Sequence, residues 1–359
     1  MPTILALTET VNTCIIHYSL FIIHYSLHAM LFSWQKNQWQ KISQLIKTGR
    51  LPHAMLLHGN QGLAKADFAL TLANAVLCQQ PTADAQACGV CKACQLLAAN
   101  THPDLTFLKP TAPPTSKSKN PVLSIRIDDI RALCEKLNQT SQYGGFRVAI
   151  LNQAELLTLS AANSLLKTLE EPGKNVLILL VTARTHRLPV TIRSRCQLLR
   201  FTMPDETQSL HWLKGNQQPG CSDSQLQQAL KYACGSPLAA LDYLHETEHQ
   251  EVLSEAMTAS VSGKNSLDYA AKLVKFARIR TLESMMSWAA DLSKLQLCGA
   301  ETAITNEQYR NKLQVLAKKV NQQRLYRFYD QLNFNISHSS IAVNEQLLWE
   351  SLLLSWDSL

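Results

Sequence analysis

Residues 54–66 read AMLLHGNQGLAKA, and the fold is decided at that junction. AMLLHG (54–59) is an apolar run of strand length. The overlapping GNQGLAKA (59–66) has the outline of a phosphate-binding loop, G-x-x-x-x-G-K-[ST], which follows a strand and opens a helix. In such a loop the glycines let backbone amides turn inward around phosphates, a lysine reaches the outer phosphates and a hydroxyl ligates magnesium. Gly59, Gly62 and Lys65 fit the outline, whereas Ala64 stands where the last glycine belongs and Ala66 has no hydroxyl.

Outward from this junction, apolar runs alternate with helical periodicity. Further strands are expected at DLTFL (104–108), RVAIL (147–151), VLILLVT (176–182) and CQLLRF (196–201), with helices between them. That alternation predicts an α/β domain with a parallel sheet covered on both faces. RVAIL leads into Asn152-Gln153, where an ATPase of this architecture carries two acidic residues, one for the metal and one for the attacking water. With the glycine and hydroxyl also replaced, the expectation is a nucleotide fold that does not hydrolyse. After Met203-Pro204 the strand signals stop, and 205–247 and 250–359 read as helices. PTAPPTSKSKNP (110–121) reads as a surface loop.

The 359 residues allow two or three domains, and 46% hydrophobic with 17% charged residues is ordinary for a globular chain. A net charge of +7, with dispersed basic residues, permits contact with nucleic acid or acidic proteins without demanding either. Cys78, Cys88, Cys91 and Cys94 follow a C-x9-C-x2-C-x2-C spacing. This favours a structural zinc site over a disulfide framework, a redox pair or unrelated buried thiols. Lys92 would offset part of a tetrathiolate charge. The other cysteines (Cys14, Cys134, Cys196, Cys221, Cys234 and Cys298) show no pairing rhythm and fit a reducing cytoplasm. Residues 1–29 contain IIHYSL twice, at 15–20 and 22–27, and the first Lys or Arg is Lys36, which argues against a signal peptide or an anchor over 14–33. Translation is expected to begin at Met30, with 1–29 a mis-assigned extension.

In SAANSLLKTLEEPG (160–173), Ala162, Leu165, Leu166 and Leu169 form one apolar helical face, with Lys167, Glu170 and Glu171 off it and Pro172-Gly173 as the stop. Next comes RTHRLPVTIRSRC (184–196), and an arginine at the edge of a nucleotide fold can act on its own phosphates or a neighbour's. NSLLKTLEEP (163–172), LPVTIRSRC (188–196) and GSPLAAL (235–241), in that order behind a degenerate phosphate loop with a four-cysteine insertion, resemble the clamp-loader ATPase family. The resemblance covers roughly residues 30–250.

The resemblance implies an AAA+ type α/β domain with a zinc module at 78–94 (30–203), a small helical lid (204–248) and an all-α collar that assembles a five-membered ring (249–359). It implies that Arg195, flanked by Ser194 and Cys196, is an arginine finger reaching a neighbour's catalytic pocket. Gly59, Gly62, Lys65 and Thr182, the last as a polar sensor, would then form a degenerate nucleotide site. Leu238 stands where motor subunits carry a second nucleotide-sensing arginine. Partners are the motor subunits, the sliding clamp and primed DNA, with ATP held by the partners and no membrane. Helices such as YRNKLQVLAKKVNQQRLYRFYDQL (309–332) would equally suit a closed bundle. Two rivals are disfavoured. A motor subunit needs acids at 152–153, and a solitary zinc-knuckle nucleic-acid binder needs interleaved basic and aromatic residues around the cysteines.

Overall fold

The computed structural model describes residues 31–113, 121–216, 221–259, 264–338, 341 and 343–359. The IIHYSL repeat, Cys14, the expected start at Met30 and most of the 110–121 loop lie outside the described residues. The chain divides into two compact units. One holds residues up to Thr111 together with Ser124–Thr202, and the other holds Ala112–Leu123 and Met203–Leu359.

In the first unit five parallel strands, β1 (Ala54–His58), β2 (Leu105–Leu108), β3 (Arg147–Leu151), β4 (Val176–Thr182) and β5 (Gln197–Arg200), lie in the order β2-β3-β4-β1-β5. All five expected strands form. Every residue of β4 is buried, which explains its uninterrupted apolar run, while Gln197, Leu198 and Arg200 on the edge strand β5 are exposed. Register sets Ala54 against Ile178, and Met55 against both Leu179 and Gln197. Leaving β1 the chain crosses to the β2 edge, and leaving β4 it crosses past β1 to the β5 edge. The loop after β1 therefore sits at a topological switch point, on the carboxyl edge of the sheet.

The helices of this unit are α1 (Lys36–Lys47), α2 (Lys65–Leu77), α3 (Lys92–Ala98), α4 (Ile127–Asn138), α5 (Leu159–Glu170) and the single turn α6 (Val190–Arg193). α2 has no polar stripe because Phe68, Ala69, Leu72 and Ala73 are all fully buried, and it packs on β1, β3 and β4. Phe68 meets Trp39 and Phe201 edge to face. On the other face Ile130, Leu133 and Leu137 of α4 and Ala161, Ala162, Leu165 and Leu169 of α5 share one core with Leu56, Ala149, Leu151, Ile178 and Leu180. The Thr158 hydroxyl accepts the Ala161 amide at 3.2 Å and starts α5.

The second unit is helical. α7 (Glu206–Asn216), α8 (Asp223–Tyr232) and α9 (Pro237–His245) enclose Leu213, Leu226, Leu230 and Leu241. α10 (Thr247–Met257), α11 (Ala270–Leu273), α12 (Arg278–Cys298), α13 (Arg310–Lys319), α14 (Gln322–Ser337) and α15 (Glu345–Asp357) surround a larger core with Trp288, Leu292, Phe328, Trp349 and Trp356. Asp291, fully buried on α12, accepts the Thr305 and Asn306 amides at 2.9 and 2.7 Å and so ties the following loop to its helix.

Candidate functional site

The loop after β1 keeps the outline of its pattern in the backbone. Gly59 (φ +151°) and Gly62 (φ +75°) take conformations that glycine tolerates best. A Cβ on Gly59 would lie 2.4 Å from the Phe201 carbonyl oxygen, so that glycine is required by the close approach of the strand-β5 exit. Ala64 holds a left-handed conformation (φ +57°, ψ +37°) at the N-cap of α2, where the loop pattern has its last glycine. The shape has survived the loss of the residue that makes it cheap.

The interior of the loop is occupied by the chain itself. The Lys65 ammonium donates to the carbonyls of Gly59 at 2.8 Å and Asn60 at 2.5 Å, and the residue is 6% exposed. Burial pulls its pKa down to about 8, with the Glu155 carboxylate opposing the shift. From the chain's entry, Gln35 Nε2 donates to the Leu63 and Ala64 carbonyls at 3.0 and 2.8 Å and Trp34 Nε1 to Leu63 at 3.2 Å, pinning the loop from outside. Thr182 ends β4 with 1% exposure, and its hydroxyl accepts the Arg184 amide at 3.0 Å. Glu155, which no sequence motif singles out, accepts the Ala183 amide through Oε1 at 3.2 Å and buries Oε2 beside these groups. The structure thus brings Gly59, Gly62, Lys65 and Thr182 to one edge of the sheet. Asn152 and Gln153 follow β3 at that edge and offer amides, with Gln153 itself left-handed (φ +55°). Leu238 is half-buried on α9 in the second unit.

Ser194, Arg195 and Cys196 lie at the opposite edge. They precede β5, whose first residue stands opposite Met55 near the start of β1, so the length of the strand separates Arg195 from the loop that follows His58. Five residues of strand at about 3.3 Å each make that roughly 16 Å. Cys196 is packed into the apolar core with α4 and α5, and burial pushes its thiol up to about 11. It anchors the turn and leaves the arginine outside. Arg195 Nη1 donates to the Thr191 carbonyl at 2.9 Å, and Nη2 meets Glu170 Oε1 at 2.5 Å. Ser194 Oγ donates to the same carbonyl at 3.1 Å.

The four cysteines converge between α2 and α3. Their sulfurs lie within 4.8 Å of one another, with Cys94–Cys78 at 3.6 Å and both Cys78–Cys91 and Cys88–Cys94 at 3.9 Å. A disulfide needs about 2.05 Å. Four thiolates at about 2.3 Å from one ion stand about 3.8 Å apart, so the cluster fits a tetrahedral metal. The amides of Cys88, Cys91 and Cys94 donate to the sulfurs of Cys78, Cys88 and Cys91 at 3.3, 3.3 and 3.5 Å, the turn geometry that two x2 spacings allow. Burial works to raise the Cys91 thiol, but donors led by the Cys94 and Gln79 amides hold it down to about 6. Lys92 Nζ sits 6.0 Å over the Tyr143 ring.

Comparison with known proteins gives three family matches along the chain. The family described as DNA polymerase III, delta subunit matches residues 34–205, the DNA polymerase III subunit delta' AAA+ ATPase lid domain matches 204–245, and the family of the C-terminal part of the DNA polymerase III delta subunit matches 244–358. The DNA polymerase III subunit delta' of Pseudomonas aeruginosa is 34% identical over 92% of this chain and 98% of its own length. That of Yersinia pestis is 31% identical over 91% and 95%, and that of Escherichia coli is 36% identical over 64% and 66%. Among solved structures, a gamma-subunit-related DNA polymerase III protein of Thermotoga maritima is 17% identical, with a TM-score of 0.42, over 89% of this chain and 99% of that one.

Proposed function

Since the chain belongs to the DNA polymerase III subunit delta' family, we propose that it is the non-motor member of a five-membered clamp loader, the assembly that places the beta sliding clamp on primed DNA for the DNA-directed DNA polymerase. In this reading it turns over no ATP itself and lends Arg195 to the ATP site of an adjacent gamma/tau motor subunit, and the delta subunit is a further member of the ring. Residues 30–203 form the AAA+ domain, 204–248 the lid, and 249–359 the collar that assembles the subunits. Zinc held by Cys78, Cys88, Cys91 and Cys94 is structural.

The observation that carries the reading is the separation of Arg195 from Lys65 by the length of the sheet. An arginine on the amino edge cannot reach phosphates held at its own carboxyl edge, but it stands where a neighbour's phosphates can meet it. Lys65 agrees, because an ammonium bound to its own loop carbonyls must give them up before it can meet a phosphate. The amides of Asn152 and Gln153 supply neither metal charge nor a base. Arg195→Ala in a loader reconstituted from full-length subunits should reduce turnover at the adjacent motor site by about 10³-fold or more. Turnover of every site at wild-type rate would overturn the finger assignment.

A further inference from the structure

Glu170 closes α5 at its carbonyl end, where the helix dipole disfavours a negative side chain, and Glu171 follows with a second charge. Its side chain is half exposed, so the fold does not need it for packing. The segment that carries it is nonetheless held firmly. Arg147 donates through Nη1 to the carbonyls of Leu137 and Gln139 and through Nη2 to that of Lys174 at 2.9 Å, binding the end of α4 to the turn after α5. On this fixed support Glu170 Oε1 meets Arg195 Nη2 at 2.5 Å, while Nη1 is taken by Thr191.

Both terminal nitrogens of the guanidinium are therefore engaged inside the chain, and a carboxylate neutralises the charge that a finger must bring to a phosphate. Carboxylate and phosphate both take paired N–H groups of arginine, so they compete for the same atoms. We propose that Glu170 is a positioning residue that parks Arg195, so that the finger engages only when the anionic phosphate of an adjacent subunit displaces the carboxylate. The inference rests on the finger reading of Arg195. An exposed ion pair shifts an equilibrium by at most about fivefold, against about 10³–10⁵ for a finger, so Glu170 biases engagement and does not block it.

The test uses the loader reconstituted from full-length subunits, with ATP turnover measured in the absence of clamp and DNA. Glu170→Gln should raise kcat about two- to fivefold with KM and the melting temperature of the isolated chain unchanged, and Glu170→Asp, which keeps the charge, should stay near wild type. Arg195→Ala should abolish the dependent turnover, and the double variant Glu170→Gln/Arg195→Ala should match Arg195→Ala alone. If Arg195→Ala removes turnover while Glu170→Gln leaves kcat unchanged or lowers it, parking is overturned and the finger stands. If Arg195→Ala has no effect, the finger reading fails and the parking inference fails with it.

Discussion

Gly59 and Asp242 show how much a single position can carry. At Gly59 the constraint is steric and conformational together, since an added Cβ would meet backbone, not a movable side chain, at a φ of +151°. Gly59→Ala should destabilise the first unit by about 2–4 kcal/mol in urea unfolding. Asp242 lies on α9 near Arg280 and Glu246, and burial raises its carboxyl to about 6, with Arg280 opposing and Glu246 adding to the shift. A carboxyl raised in the fold contributes stability that is full below about pH 4 and lost as pH rises through about 6. His249 acts in the other direction. Burial, then Arg280, lower it to about 4, so its contribution is present above about pH 6.5 and lost as pH falls through about 4. The two offset each other in the wild type. Asp242→Asn should therefore be more stable than wild type at pH 7.5 by up to about 2–3 kcal/mol, lose that advantage by pH 4, and show a steeper acid decline in thermal melts across pH 4–8.

At the scale of elements, the cysteine module combines a small buried apolar set with a sulfur cluster. Residues 78–94 contain few apolar side chains, and the helix α3 that closes them has seven residues, too short to persist without tertiary support. The segment is held by the buried Ala85, Ala93 and Leu97, by Trp39 Nε1 donating to the Asp84 carbonyl at 3.3 Å, and by the convergence of four sulfurs. On the proposed zinc assignment, a chelator applied to the full chain at neutral pH should release one equivalent of metal, measured by atomic absorption, and open 78–98 to limited proteolysis while the sheet stays protected. Proteolysis unchanged after complete metal loss would show that the thiols pack adequately on their own. α5 illustrates a different economy of parts. Its buried stripe fills the core beside β3 and β4, its Thr158 cap fixes where it starts, and its exposed last residue reaches Arg195.

Over the first unit, the parallel sheet acts as a spacer between two sets of polar side chains. The carboxyl edge gathers Lys65, Thr182 and Glu155 around a loop that binds itself, and the amino edge presents Arg195. Parallel topology forces this arrangement, because a residue that precedes a strand and one that follows its neighbour must lie at opposite edges. On the proposed finger reading, the effect of Arg195→Ala on turnover belongs to an assembly, whereas the isolated chain registers only the loss of its contacts with Glu170 and Thr191.

The elements and their order were legible in the sequence. Each apolar run became a strand within a residue or so of its expected limits; in β3 and β4 the unbroken apolar stretch matches burial on both faces, and Gly59 and Pro110 close the runs of β1 and β2. The cysteine set was legible as well, because metal-binding spacing is local. Other features depend on groups distant in the chain. The sequence showed that Ala64 replaces a glycine, but only the fold keeps it left-handed. It showed that Lys65 was present, but only burial, the Gly59 and Asn60 carbonyls and Glu155 decide its charge and direction. Arg195 stood out by its motif, yet its partner Glu170 lies twenty-five positions earlier and meets it only because the turn after α5 and the turn before β5 open on the same edge. Periodicity and spacing act over a few residues and are written directly in the chain. Pairing, protonation and reach depend on which distant groups the sheet brings together, and those the tertiary structure alone decides.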